Sequence, residues 1–310
     1  MGQYILTICT ATYNRAHTLT KVYESLIKQT CFDFDWLVID NGSTDGTEKL
    51  FEKWNEESVP FKIHYHRIAE RGLPRALNYG VNSAAGKYFF KLDSDDTLLP
   101  NAVETILKGI DEIDSIDNIV GVGYVRIKPN GKPIKGVWPM VNENGYIDCT
   151  NLERKKYNLD ADMCEAYRVS VLKRYPFQVW ADELFAPEAT CLDMMALDGY
   201  KIRWHKEAIY ICEYLDDGLT KGNWDLLRNN KMGYAILSNQ RMLTSDNYRE
   251  KLRAAAEHIA LSLNAGYPSY VFNTYKPLIT LMALPLGLVL AIRRHEQFKY
   301  DDPVNRRNNT

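Results

Sequence analysis

Residues 88–100 read YFFKLDSDDTLLP: an aromatic, apolar run meets Asp93, Asp95 and Asp96, and the stretch stops at Pro100. The run has the character of a strand buried on both faces. The acids therefore mark the point where that strand leaves the core. Three carboxylates in four positions repel one another, and the arrangement is costly unless something positive sits among them. A hard divalent cation is the simplest partner, because Mg2+ and Mn2+ take oxygen ligands and often only one or two protein carboxylates beside phosphate oxygens. The competing reading is a solvated loop in which Asp93 or Asp96 caps a helix starting near Pro100.

Upstream, strand and helix signals alternate. YILTICTAT (4–12) and DWLVID (35–40) read as buried strands, FKIHYHRI (61–68) as a third and KYFFKLD (87–93) as a fourth. Between them lie three helical patterns. In HTLTKVYESLIKQT (17–30) Leu19, Val22, Tyr23, Leu26 and Ile27 share one face. EKLFEKW (48–54) follows Thr47 as a candidate cap, and LPRALNYGVNSAAG (73–86) is closed by Gly86. Right-handed crossovers make this βαβαβαβ order a doubly wound, mostly parallel α/β sheet, and such sheets bind ligands beyond the carboxyl ends of their strands. TATYNR, DNGSTD and DSDD all fall at such ends. Thr10, Thr12, Tyr13 and Asn14 offer a ring among hydroxyl and amide groups suited to a nucleoside, and Asp40 and Asn41 add acceptors. Turn chemistry alone also favours these residue types.

Beyond NAVETILKGI (101–110) the rhythm changes. NIVGVGYVRIKPNGKPI (118–134) suggests two short strands about the turn PNG, EAYRVSVLKRY (165–175) and ATCLDMMALDGY (189–200) suggest helices, and YKIRWHK and AIYICEYL suggest strands. From Asn223 the pattern is helical, with a frayed tail DDPVNRRNNT. The expected division is 1–112 as a first half carrying the strand-end clusters, 113–222 as a second half facing it across a cleft, and 223–310 as a helical extension.

The chain has 310 residues, 45% of them hydrophobic, with 38 Lys and Arg against 40 Asp and Glu. A formal charge of −2 gives no global field for nucleic acid, so an anionic ligand must be held by local groups. Six cysteines without CxxC spacing, and an N-terminal stretch without a signal-peptide layout, lead to the expectation of a reducing, cytoplasmic setting. LITLMALPLGLVLAI (278–292) is shorter than about 20 residues and holds Pro285. It is expected not to span a bilayer, and either lies on the inner face of the cell membrane or packs in the core. His64 and His66 alternate on a strand with nothing nearby to complete a metal site.

The blocks TICTATYNRAHTL, DWLVIDNGSTDGT, LPRALNYGVNSAAGKYFFKLDSDDTLLP and PEATCLDMMALDGYKI resemble glycosyltransferase family 2, inverting enzymes of GT-A fold. The likeness is close to Pro100, looser to Thr220 and thin beyond. It implies that Thr10, Thr12, Tyr13 and Asn14 line the nucleoside pocket with Asp40 and Asn41 near the base. It also implies that Asp93 and Ser94 reach the donor, and that Asp93 and Asp95 form an Asp-x-Asp motif for Mn2+ or Mg2+, with Asp95 the first choice as direct ligand. Many relatives have Asp where Asn41 stands, and a basic residue where this chain reads Gly72-Leu73-Pro74; Arg71 or Arg75 is then the source of positive charge. Glu188, counted back from GYKI, falls where the family places its catalytic base, and an acid in the first turn of a helix also suits the helix dipole. EYLDDGLT (213–220) either closes over the donor or is an ordinary turn. The implied reaction is metal-dependent transfer from a nucleoside-diphosphate sugar, UDP first among the nucleotides, to a glycan or lipid-linked glycan in polysaccharide or cell-envelope synthesis. The alternatives are a non-catalytic nucleotide-sugar-binding subunit and a sugar nucleotidyltransferase, although no glycine-rich phosphate loop follows the first strand.

Overall fold

The structure, a computed structural model, describes residues 4–213 and 223–300. The loop expected at 213–220, apart from Glu213, and the tail 301–310 lie outside the described residues. The chain divides into two compact units, with boundaries after Pro176, Asp193 and Leu215.

The first unit opens with β1 (Leu6–Thr12), α1 (Ala16–Ile27), β2 (Phe34–Asp40), α2 (Thr47–Glu56), β3 (Lys62–Arg67), α3 (Leu73–Ser83) and β4 (Tyr88–Lys91). The strands pair in parallel in the order β3-β2-β1-β4. Every residue of β2 is buried and β1 is buried apart from half-buried Ala11, which is why both read as continuous apolar runs. Thr12 pairs with Asp40, so β1 and β2 end level. Trp36 of β2, Phe51 and Trp54 of α2 and Tyr23 of α1 form one aromatic cluster, with Tyr23 stacked on Trp54 and Phe51 edge-on to it. Two local expectations change. Thr47 begins α2 rather than capping it; Asp45 accepts from its N–H and hydroxyl. Gly86 does not close α3. It lets β1 approach, since a Cβ there would lie 2.6 Å from the Thr7 nitrogen.

After β4 come β5 (Thr97–Leu98), α4 (Ala102–Ile113), β6 (Ile119–Ile127), β7 (Tyr146–Cys149), β8 (Met163–Arg168), α5 (Val169–Leu172), α6 (Ala189–Leu197) and β9 (Lys201–Ile211). β8 lies antiparallel between β4 and β6, β6 runs parallel to β9, and β5 and β7 pair antiparallel with β9. The segment EAYR is therefore a strand rather than the start of a helix. Its place between two strands satisfies backbone groups that its helix-compatible sequence does not reveal. YKIRWHK and AIYICEYL form one strand, whose register against β6 shifts between Gly123/Trp204 and Val125/Ala208, leaving Lys206 and Glu207 exposed at the irregularity. Gly123 is required here, because a Cβ would lie 2.3 Å from the Trp204 ring.

The second unit contains α7 (Asn223–Asn229), α8 (Lys231–Thr244), α9 (Tyr248–Asn264) and α10 (Pro277–Tyr300). Asn247 caps α9 by accepting from the Arg249 N–H. α9 packs on both α8 and α10 through Ala254, Ala255, Ala256 and Ile259. Pro285 does not interrupt α10, which runs 24 residues as one helix. Its segment Pro277–Lys299, with mean hydropathy 1.6, is long and apolar enough to cross a membrane by length and composition.

Candidate functional site

In the first unit the loops after β1, β2 and β3 are tied together at the carboxyl ends of the strands. The Asn41 N–H donates to the Thr12 carbonyl (2.9 Å), and the Ile68 N–H to the Asp40 carbonyl (2.9 Å). Asn14, with a left-handed φ of 51°, donates its N–H to Ser43 Oγ and accepts from the Thr44 N–H at 2.8 Å. Asp40 is fully buried and accepts from the Ser43 N–H and hydroxyl on one oxygen and from the Tyr65 hydroxyl on the other. Thr10 Oγ1 accepts from the Trp36 indole N–H at 3.1 Å. Asn14 and Asp40 thus hold the loops in place, and Thr10 ties β1 to β2.

Five other residues gather at these loops: Thr12, Tyr13, Asn41, Arg71 and Arg75. Thr12 carries a buried hydroxyl with no hydrogen-bond partner among the described residues. The Tyr13 ring lies 3.8 Å from the Arg71 guanidinium carbon, a cation–π contact. Asn41 Oδ1 accepts from the Gly72 N–H at 3.1 Å, fixing the turn that precedes α3. Arg75 points back along that turn, donating to the Arg71 carbonyl (3.0 Å) and lying 3.6 Å from Glu70.

The aspartates sit one strand over, where β4 ends. Thr18 of α1 donates to the Ser94 carbonyl at 2.7 Å, which joins this turn to the first loop. The Asp93 N–H donates to Tyr210 Oη, and the Tyr210 hydroxyl donates to Asp93 Oδ2 at 3.2 Å. Arg126 Nη1 donates to the same carboxylate oxygen at 2.8 Å and lies 3.6 Å from Asp96 Oδ2. Its Nε donates to the Met163 carbonyl, and its guanidinium stacks 4.2 Å over the Tyr210 ring. Arg126 and Tyr210 are register partners on β6 and β9, so sheet pairing delivers both to the cluster. The positive charge demanded by the three carboxylates thus comes in part from an arginine of a distant strand and not from a metal alone. An Arg and a Tyr inside the apolar strands GVGYVRI and EAIYICE carried the signal, since a buried charge within a strand needs a partner.

Burial opposes ionisation of Asp93, yet Lys91, 3.7 Å away, and Arg126 outweigh it and hold the carboxyl well below its ordinary range. Asp96 is pushed up to about 6, by burial first and then by the charge of Asp93. Its Oδ1 accepts from the Glu213 N–H at 3.2 Å. Asp95 is half-buried in the same turn. Among the described residues, no three His, Cys, Asp or Glu side chains form a ready-made metal cage.

Glu188, half-buried, stands at the start of α6, where its carbonyl accepts from the Cys191 and Leu192 N–H groups. The segment before it is anchored within the second unit. The Glu183 carboxylate accepts from the Met232 and Gly233 N–H groups (2.7 and 2.8 Å), and Asn230 Oδ1 accepts from those of Leu184 and Phe185. Burial raises the Glu183 pKa, against the lowering effect of those hydrogen bonds. Glu183 had no signal in the local sequence, because its partners lie in the first turn of α8.

Solved structures share this architecture. Superposition on S. aureus TarS 1-349 in complex with UDP-GlcNAc gives a TM-score of 0.58 at 16% identity, covering 95% of this chain and 83% of that one. The mannosyltransferase PcManGT from Pyrobaculum calidifontis, in complex with GDP-Man and Mn2+, gives 0.53 at 17% identity over 94% of this chain and 86% of that one. The fold is that of the GT-A glycosyltransferases. The Glycosyl transferase family 2 model matches residues 7–175, and the chain belongs to that family. Relatives include an uncharacterized glycosyltransferase of Rickettsia bellii, 29% identical over 137 residues, which are 44% of this chain and 19% of that protein. Glycosyltransferase GlyG of Streptococcus pneumoniae is 27% identical over 120 residues, 39% of each chain. The chain therefore matches less than half the length of these relatives.

Proposed function

We propose that the protein transfers a sugar from a nucleoside-diphosphate sugar, with UDP the first nucleotide, to a hydroxyl of a glycan or lipid-linked glycan, with inversion at the anomeric carbon. The step belongs to polysaccharide or cell-envelope glycan synthesis at the inner face of the membrane. The observation that carries the reading is the buried Thr12 hydroxyl, unpartnered among the described residues, in a loop cluster with Tyr13, Asn41 and Arg71, on the strand beside the one that ends in the aspartates. A nucleoside supplies both a ring for the Tyr13 and Arg71 wall and a polar group for that hydroxyl. Membership of the family and the nucleotide-sugar complexes of the two structural neighbours support the same reading.

The acid cluster suits Mn2+ or Mg2+. Three carboxylates stand against the two cations Arg126 and Lys91, and after burial the charges of Asp93 and Asp95 both act to raise Asp96, so the turn keeps room for a further positive charge that a hard cation supplies. Asp93 and Asp95 would hold the ion, with Asp95 the direct ligand, since one oxygen of Asp93 is committed to Arg126 and Tyr210. When bound, the ion supplies charge neutralisation for the diphosphate. Arg71 or Arg75 adds positive charge from the turn that leads into α3. In the transfer, the acceptor oxygen forms a bond to the anomeric carbon from the face opposite the diphosphate. The bond to the diphosphate breaks with its electron pair, and the acceptor proton passes to the Glu188 carboxylate.

Thermal stability against UDP-, dTDP-, GDP- and CDP-sugars, each with Mn2+, Mg2+ or EDTA, tests the donor site. Metal-dependent stabilisation by UDP-sugars, lost in Asp95→Ala, is expected. Glu188→Gln should keep that shift and lose turnover. No shift with any donor overturns the reading, a shift without turnover in the wild type assigns a binding subunit, and full turnover in Glu188→Gln removes that residue from the base role.

A further inference from the structure

Helix α10 buries one side and exposes the other. Ala283, Gly287 and Ala291 face inward, and a Cβ on Gly287 would lie 2.7 Å from Ile259 Cβ, so α9 and α10 meet at close approach. Arg294 pairs with Glu257 of α9 at 2.8 Å. On the opposite side Leu278, Leu281, Met282, Val289 and Ile292 are each 60–77% exposed. With Pro285 between them they recur at i, i+3, i+4, i+7, i+11 and i+14, a single stripe about 21 Å long at the usual helical rise. An exposed apolar face of this extent marks an interaction surface.

Charge and geometry name its occupant. Residues 223–300 hold ten Lys and Arg against five Asp and Glu, in a chain whose formal charge is −2. Exposed Lys276 stands at one end of the stripe, and Arg293 and Lys299 stand at the other. Tyr248 borders it with its hydroxyl 3.1 Å from Met282 Sδ, and exposed Phe272 and Tyr275 lie just before its first turn. Apolar residues flanked by aromatic and basic ones match the boundary between headgroups and acyl chains. A second copy would set one basic surface against another, which opposes self-association. Crossing the bilayer would require α10 to give up its packing and its ion pair on α9.

We propose that this face of α10 docks the protein on an anionic lipid bilayer, with the helix lying in the plane of the surface. The inference gives the membrane location proposed above a physical surface on this unit, and it stands or falls separately from the sugar-transfer chemistry, which flotation does not read.

Flotation of the full chain with vesicles of phosphatidylcholine, alone or mixed with phosphatidylglycerol, tests it at low and high salt. The protein should float with the anionic vesicles and less so at high salt. Leu281→Gln with Val289→Gln, both at exposed positions, should lower recovery roughly tenfold or more. Lys276→Gln with Arg293→Gln should remove the preference for phosphatidylglycerol. Ile292→Gln serves as a second apolar variant, and melting curves check that each variant folds. Absence of wild-type flotation, or flotation unchanged by the apolar variants, overturns the proposal. So does a dimer in sedimentation velocity that the apolar double variant dissociates while no form floats, since that result assigns the face to a second copy.

Discussion

Arg126→Met removes the arginine from the aspartate cluster while keeping a side chain of comparable length. Arg126 lies 2.8 Å from Asp93 Oδ2 and 3.6 Å from Asp96 Oδ2, with its own side chain only 8% exposed. At an effective dielectric constant near 20 those separations correspond to gross attractions of about 6 and 5 kcal/mol, most of which offsets the desolvation of the ions. Truncating one partner of a buried pair leaves the other charge uncompensated, at a cost of about 3–5 kcal/mol. Because Asp93 is partly exposed to water, the lower end of that range is expected. Urea unfolding followed by tryptophan fluorescence reads the effect, since Trp36 and Trp204 are fully buried in the same unit. A cycle with Asp93→Asn separates the pair from general damage. The double variant should regain stability over Arg126→Met alone, with a coupling of about 1.5 kcal/mol or more. A loss below about 1 kcal/mol in Arg126→Met, or additive effects in the cycle, would refute the role of Arg126 as counter-charge.

Thr12→Val keeps the side-chain shape and deletes a hydroxyl that has no partner among the described residues. Stability should hold or rise by up to about 1 kcal/mol, while affinity for UDP, measured by titration calorimetry, falls; unchanged affinity would show that Thr12 does not meet the nucleotide. Gly123→Ala places a methyl group 2.3 Å from the Trp204 ring and should cost about 1–3 kcal/mol in urea unfolding, and a silent substitution would contradict the close packing of β6 on β9. His258 is buried in α9 with Nδ1 3.2 Å from the Ala235 carbonyl, and burial lowers its pKa from 6.5. The unfolded chain therefore takes up a proton before the folded one does, so this residue's contribution is intact above about pH 6.5 and is lost as pH falls below it. The urea midpoint of the helical unit should drop between about pH 7.5 and 5.5, less so in His258→Gln; a midpoint that rises over that interval would refute the assignment.

The sequence by itself determined the alternation from β1 to β4 and the acid turn that follows. Parallel strands covered on both faces need unbroken apolar runs, and each run here ends in polar residues that topology must bring to one edge. Glu188 was likewise legible as an acid at a helix start beside Pro187. Only the tertiary structure decided which of these residues meet. Thr10 and Asp40 look as available as Thr12 in sequence, yet Trp36 and Tyr65 occupy them, whereas the Thr12 hydroxyl is unpartnered among the described residues. Arg126 and Tyr210 lie 33 and 117 residues from Asp93 and reach it through the register of β6 and β9. EAYR becomes a strand because β4 and β6 stand on either side of it, and α10 continues through Pro285 with its apolar stripe outward. Apolar periodicity is a local property of the chain, whereas charge pairing and the burial of a single hydroxyl depend on which distant elements pack together.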